Sequence, residues 1–145
     1  MSAREQGPRH KARALALQGL YGWIVGGGDA ASIGAHLLTP EQSARLDIGY
    51  FHDLLGGTIA RADTLRAGFQ GLLDRPVAVL SPVEHALLLL GSYELVHHPE
   101  VPYRVVINEA VELAKSFGGT DGFRFVNGVL DRFATSLRPP GSGPA

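Results

Sequence analysis

Apolar residues recur along this chain at spacings of three and four, the period of helices with one buried face. Ala12, Leu15, Ala16, Leu20 and Trp23 form one such stripe, predicting a first helix over about residues 9–25. It stops at the run Gly26, Gly27, Gly28, Asp29, where helix propensity collapses. Thr39, Pro40 and Gln42 then carry an N-cap signal, with the cap, the first-turn proline and the reciprocal capping residue in order. The long segment they open has Leu46, Ile48, Phe51, Leu54, Leu55 and Ile59 on its apolar side and a candidate bend at Gly56 and Gly57. A third helix is expected from about Ala62 to Leu73, ending before Asp74, Arg75 and Pro76.

Ser81, Pro82 and Glu84 repeat the start signal in a stronger form. The helix behind it is apolar on every side from Ala86 to Leu90, which predicts a place at the centre of the fold. It should end near His97 and His98, because the residue before Pro99 avoids helical geometry. From Pro102 the next helix places Val106, Ala110, Leu113, Ala114 and Phe117 on one face, with Gly118 and Gly119 closing it. The last, about Gly122 to Leu137, buries Val126, Val129, Leu130, Phe133 and Leu137. With strand patterns nearly absent, the fold class is all-α: a compact bundle of six or seven helices. The low-propensity stretch from Pro76 to Leu80 divides an N-terminal subdomain, about 9–75, from a C-terminal one, about 76–138. Residues 1–8 read as a flexible basic arm and residues 139–145 as a flexible tail.

Composition narrows the function. The 145 residues include no cysteine, which excludes disulfides, thiolate metal sites and a cysteine nucleophile together, and suits a reducing cytoplasm. The longest apolar run, Ala86 to Gly91, falls far short of the ~18 residues a membrane-spanning helix needs, so no membrane partner is expected. Net charge is −1, yet it is unevenly placed. Arg4, Arg9, Lys11 and Arg13 against Glu5 give the first 13 residues +3, leaving −4 for the remainder. A basic arm on a mildly acidic body can seek phosphate while the body stays soluble.

Catalytic chemistry is not visible. No glycine cluster is followed by the Lys-Ser/Thr pair of a phosphate loop, and no serine sits in a nucleophile elbow. Glu94, His97 and His98 share a helical face and could offer two metal-ligand types, but no further ligand is evident, and histidines near a helix C-terminus also suit its dipole. Glu109 and Glu112 lie on one helix with Lys115, where intrahelical pairing is the simpler account. No cofactor and no enzymatic activity are expected. The aromatics near charge are the better candidates: Tyr21 after the basic arm, and Phe123 and Phe125 flanking Arg124 behind Asp121. Single-stranded RNA binders combine cations with rings on which bases stack.

Residues 101–118 (VPYRVVINEAVELAKSFG) followed by 125–131 (FVNGVLD) resemble the C-terminal signature of the NusB family. Residues 14–23, Tyr50 and Phe51 with Asp53 to Gly56, and Tyr93 to Leu95 extend the likeness over about residues 9–138. The resemblance implies two helical subdomains and a transcription antitermination factor. Such a factor binds the single-stranded boxA element of ribosomal-operon leader RNA together with NusE, a small-subunit ribosomal protein, and joins RNA polymerase with other Nus factors. Carried over by position, the family's arginine-rich start falls on Arg9, His10, Lys11 and Arg13, its RNA-contacting tyrosine on Tyr21, and its acid and ring near the last helix on Asp121 and Phe125. Glu84 lies where the family approaches NusE.

Two positions depart from the pattern. His10 stands where arginine is frequent, so charge there depends on pH, and Leu89 stands where a basic residue is common, which either weakens a polar contact or buries more surface. Four arm cations would give a salt slope for RNA binding near −3 at about 0.7 per contact. Two rival readings accompany this one. The fold also resembles the N-terminal domain of ribosomal-RNA cytosine methyltransferases, whose cysteine nucleophile and methyl-donor domain are not found in this sequence. Alternatively, the bundle is a protein-interaction module, or a homodimer without independent RNA binding.

Overall fold

The computed structural model describes residues 7–117 and 121–137. Arg4, Glu5, the helix stop at Gly118 and Gly119, and the tail beyond Leu137 lie outside the described residues. Eight α-helices and no strand occur among the described residues, so the all-α expectation holds with more pieces than the periodicity implied. The chain divides into two compact units between Ala60 and Arg61, not near Pro76.

The first unit holds α1 (Pro8–Gly26), α2 (Ala30–Leu37), α3 (Pro40–Ser43) and α4 (Ile48–Ala60). Pro8 starts α1 with its φ already helical, and Gly27 ends it at φ +75°, a left-handed backbone that glycine adopts at little cost. α1 packs on α4 by burying Ala12, Leu15, Ala16 and Leu20 together with Phe51, Leu54 and Leu55, whereas Trp23 is only half-buried. Gly19 permits this approach: a Cβ there would stand 2.8 Å from a Leu55 methyl.

α2 has no counterpart in the periodicity reading. Asp29 caps it, accepting from the Ser32 amide at 2.8 Å and the Ser32 hydroxyl at 3.1 Å, and these bonds hold its carboxyl below the usual carboxylate range. Thr39 caps as expected, accepting from the Gln42 amide at 3.2 Å, but α3 lasts one turn. Asp47 then caps α4 through the Tyr50 amide at 3.0 Å, so the predicted long segment is two helices. Ile48, expected inside, is exposed.

The second unit holds α5 (Ala62–Phe69), single 3₁₀ turns at Gln70–Leu72 and Val77–Val79, α6 (Pro82–His97), α7 (Tyr103–Phe117) and α8 (Gly122–Leu137). Ser81 caps α6 through the Glu84 amide at 3.1 Å. Every residue from Ala86 to Leu95 is buried, as an all-round apolar helix requires, with α7 and α8 packed on it. Gly91 lets α8 come close: a Cβ there would meet Leu130 Cδ1 at 2.7 Å. α5 belongs here because Phe69 and Leu65 are buried and α5 packs on α6 and α8, so the Pro76–Leu80 stretch is a connection within one unit. Low helix propensity marked a connection, and only packing decides where a unit ends. Phe117 and Leu137, both placed on buried rows by spacing, are exposed at their helix ends.

Candidate functional site

The basic segment is mostly built into the first unit. From Pro8 onward it is helix, and four contacts tie its start to the start of α4. The Asp47 amide donates to the Pro8 carbonyl at 3.1 Å. The Asp47 carboxylate, while capping α4, lies 3.8 Å from Arg9 Nε. The guanidinium of Arg9 covers the Tyr50 ring at 4.2 Å from its centroid, and that of Arg13 approaches the same ring at 5.5 Å. Cations over an aromatic face are attracted by its quadrupole, so Tyr50 orders two guanidinium groups one helical turn apart.

These two arginines are not equivalent. The Arg9 side chain keeps 52% of its surface exposed, whereas Arg13 is only 6% exposed. Arg9 can therefore offer N–H groups to an anion, whereas the Arg13 guanidinium, 5.5 Å from the Tyr50 centroid, is buried in the free chain. His10 and Lys11 are half-exposed on the same turns. Tyr21 is 43% exposed, so its ring is available to a ligand. Tyr50 and Asp47 escaped the sequence reading as site residues because nothing local links them to Arg9; the helix pairing does.

A second cluster surrounds the start of α8 in the second unit. Asp121 pairs with Arg124 at 3.6 Å. Arg124 and Lys115 each lie 5.1 Å from the Phe123 ring centroid, so Lys115 serves an aromatic partner rather than the intrahelical acids expected of it, and Glu109 is buried. Arg75 stacks 4.3 Å from the Phe125 centroid while Asp74 holds it through two bonds, at 2.6 and 3.2 Å. That bidentate pair raises the Arg75 pKa and holds the Asp74 carboxyl below its usual range. Phe125 is half-buried with Arg75 on its ring, so a base stacking there would meet a covered face.

Glu84 joins this cluster. Its Oε2 lies 3.1 Å from where a Cβ on Gly122 would stand, so the absence of a side chain gives the carboxylate room beside the α8 N-terminus, where a negative charge is favoured. Its charge also helps to raise the Arg75 pKa, after the larger effects of Asp74. The structure thus brings Asp121, Phe125 and Glu84 together with Phe123, an aromatic candidate of the sequence, and with Arg75, which the sequence reading had not assigned. Leu89 is fully buried on α6, so this departure adds core surface.

The histidines are accounted for by packing. His97 stacks on Tyr93 at 4.7 Å between centroids, His98 Nδ1 lies 3.0 Å from Glu100 Oε2, and Glu94 is buried; no group of three His, Asp or Glu fit to hold a metal occurs among the described residues. His85 Nε2 accepts from Arg66 Nε at 2.9 Å. Partial burial, and then the Arg66 charge, lower its pKa from the ordinary 6.5. The folded chain therefore holds this proton less tightly than the unfolded chain, and stability rises with pH through this range. Relative to His85→Gln, the parent protein is expected to lose stability as pH falls below 6.5 and to show no such relative change above it. Chemical denaturation across pH reads the difference, and parallel profiles would contradict it.

No helix among the described residues is long and apolar enough to cross a membrane. The family model described as NusB family matches residues 10–135. The transcription antitermination protein NusB of Bordetella pertussis is 55% identical over 140 residues, covering 94% of this chain and 91% of its own. Its namesake in Nitrosospira multiformis is 56% identical over 126 residues, 87% of this chain and 80% of that one. Among solved structures, T. maritima NusB has a TM-score of 0.80 at 26% identity, covering 90% of this chain and 92% of that one. A crystal structure of the antitermination factors NusB and NusE in complex with dsRNA has a TM-score of 0.78 at 23% identity, covering 88% and 96%, and supports the fold. On these matches the chain belongs to the NusB family of transcription antitermination proteins.

Proposed function

We propose that this protein binds boxA-type single-stranded RNA of ribosomal-operon leaders together with NusE. The complex then assembles on RNA polymerase with other Nus factors to suppress premature termination. The protein works by binding and performs no chemical step. The observation that carries this reading is the start of α1, where Arg9 is held open to solvent between Asp47 and the Tyr50 ring, with Lys11 half-exposed on the same turn. A guanidinium already fixed in place loses less conformational freedom on meeting a phosphate than one on a mobile arm. Tyr21, exposed further along the same helix, offers a ring for stacking.

The cluster of Glu84, Asp121 and Phe125 is the proposed approach of NusE and RNA on the second unit. Its rings are already engaged by Arg75, Arg124 and Lys115, so it offers a charged, ordered rim more than an open stacking platform. The relatives named above supply the cellular context: they are antitermination proteins, and one structural neighbour was crystallised with NusE and dsRNA.

Fluorescence anisotropy of a labelled boxA RNA tests the reading, with and without NusE, beside a scrambled strand and a duplex of the same sequence. Selective binding of the boxA strand, tightened by NusE, is the expected result. Equal binding of the scrambled strand, or no RNA binding even with NusE present, would overturn it; tighter binding of the duplex would transfer the site to double-stranded RNA.

A further inference from the structure

The second unit carries an open cleft of about 330 Å³ that none of the residues proposed above occupies. Tyr103, Arg104, Ile107 and Asn108 line it from α7, and Asn127 and Asp131 from α8. Arg104 and Asn108 stand one helical turn apart, as do Asn127 and Asp131, so each helix contributes a polar pair from one face. Ile107 is buried and gives the cleft apolar lining.

Among the described residues, none of these four polar side chains has a hydrogen-bond or ion-pair partner, and the guanidinium of Arg104 touches only the Tyr103 ring, at 5.6 Å. Arg9, Arg66, Arg75 and Arg124, in contrast, are each matched to a carboxylate, and Arg132 donates to the Leu72 carbonyl. Two carboxamides, one cation and one anion therefore face a single concavity without a side-chain partner from the protein among the described residues.

A carboxamide both donates and accepts, which matches the N–H and C=O of a peptide group. Two of them on neighbouring helices can pair with the main chain of an extended segment without demanding a particular sequence. Arg104 and Asp131 would then favour an acidic and a basic side chain on that segment. Nucleic acid fits less well: one cation is offset by one carboxylate, whereas a phosphate backbone needs a surplus of positive charge.

We propose that the cleft between α7 and α8 docks an extended segment of a partner protein, its main chain paired with Asn108 and Asn127 and its charged side chains facing Arg104 and Asp131. The proposal is independent of the RNA reading, because no residue is shared.

Titration of the isotope-labelled protein with short blocked peptides tests it, each carrying one Glu and one Lys in varied separation and order, with NMR detection of the Asn108 and Asn127 side-chain amides. At least one register is expected to shift both amides, and the double variant N108D/N127D to bind that peptide about tenfold more weakly. Both positions are exposed, so thermal melting of the variant should match the parent and separate lost binding from lost folding. Absence of shifts up to millimolar peptide for the whole panel would overturn the proposal. So would equal binding of a main-chain N-methylated peptide. A mixed-sequence oligonucleotide that moves the same amides would reassign the cleft to nucleic acid.

Discussion

Leu130→Ala is expected to destabilise the second unit by about 2–5 kcal/mol, the range for deleting a buried leucine side chain and leaving a cavity. Leu130 is fully buried, and its methyls lie against Gly91 of α6. A loss of this size is a large part of the roughly 5–15 kcal/mol that holds a typical domain together. Gly91→Ala probes the same contact from the other side. Its new methyl would stand 2.7 Å from Leu130 Cδ1, too close without movement, and should cost about 1–3 kcal/mol by overpacking. In the double variant that methyl enters space Leu130 has vacated, so the combined cost should fall below the sum of the single costs. Urea denaturation of all four proteins measures the coupling; strict additivity would show that the two positions do not compete for the same volume.

On the RNA side, Arg9→Ala is expected to weaken boxA binding by about tenfold or more, the scale of one charge-assisted contact, and to flatten the salt slope by about 0.7. Joint replacement of Arg9 and Lys11 should flatten it by about 1.4. Arg13→Ala should behave differently. Arg13 is buried against Tyr50, so its removal is expected to weaken binding by loosening the ring that holds Arg9, with the slope left nearly unchanged. Anisotropy titrations over a range of salt concentrations separate the cases. A slope that falls as much for Arg13→Ala as for Arg9→Ala would mean that Arg13 reaches phosphate directly and that burial in the free protein does not describe the bound one.

Four arm cations would have predicted a slope near −3. Among the described residues the structure leaves Arg9 and Lys11 as accessible permanent cations of that segment, which lowers the contribution to about −1.4. Of the two cations missing from that count, Arg13 is buried with its guanidinium near the Tyr50 ring, and Arg4 lies outside the described residues.

Much of the helical framework was legible because its causes are local. Thr39 and Ser81 bind amides three residues ahead, Pro99 excludes a helical residue before it, and the apolar run of α6 needs no partner to be recognised as buried. α2 was missed although its cap, Asp29 with Ser32, is equally local, because eight residues behind a glycine run give too short a period to register. Phe117 and Leu137 kept the right period and still ended exposed, since spacing says which face a residue shares but not how far along the helix the neighbour reaches.

What the sequence determined alone is the all-α class, the order of most helices, the central place of α6 and, through its long motif, the family. All of these depend on residues within a turn or two of one another, or on the ordered run of residues itself. The tertiary structure decided the break between the units after Ala60, which basic residue of α1 faces solvent, the meeting of Glu84 with Gly122, and the stacking of Arg75 on Phe125. Each of these rests on side chains far apart along the chain, whose approach is set by how the helices pack and is not encoded in any local pattern.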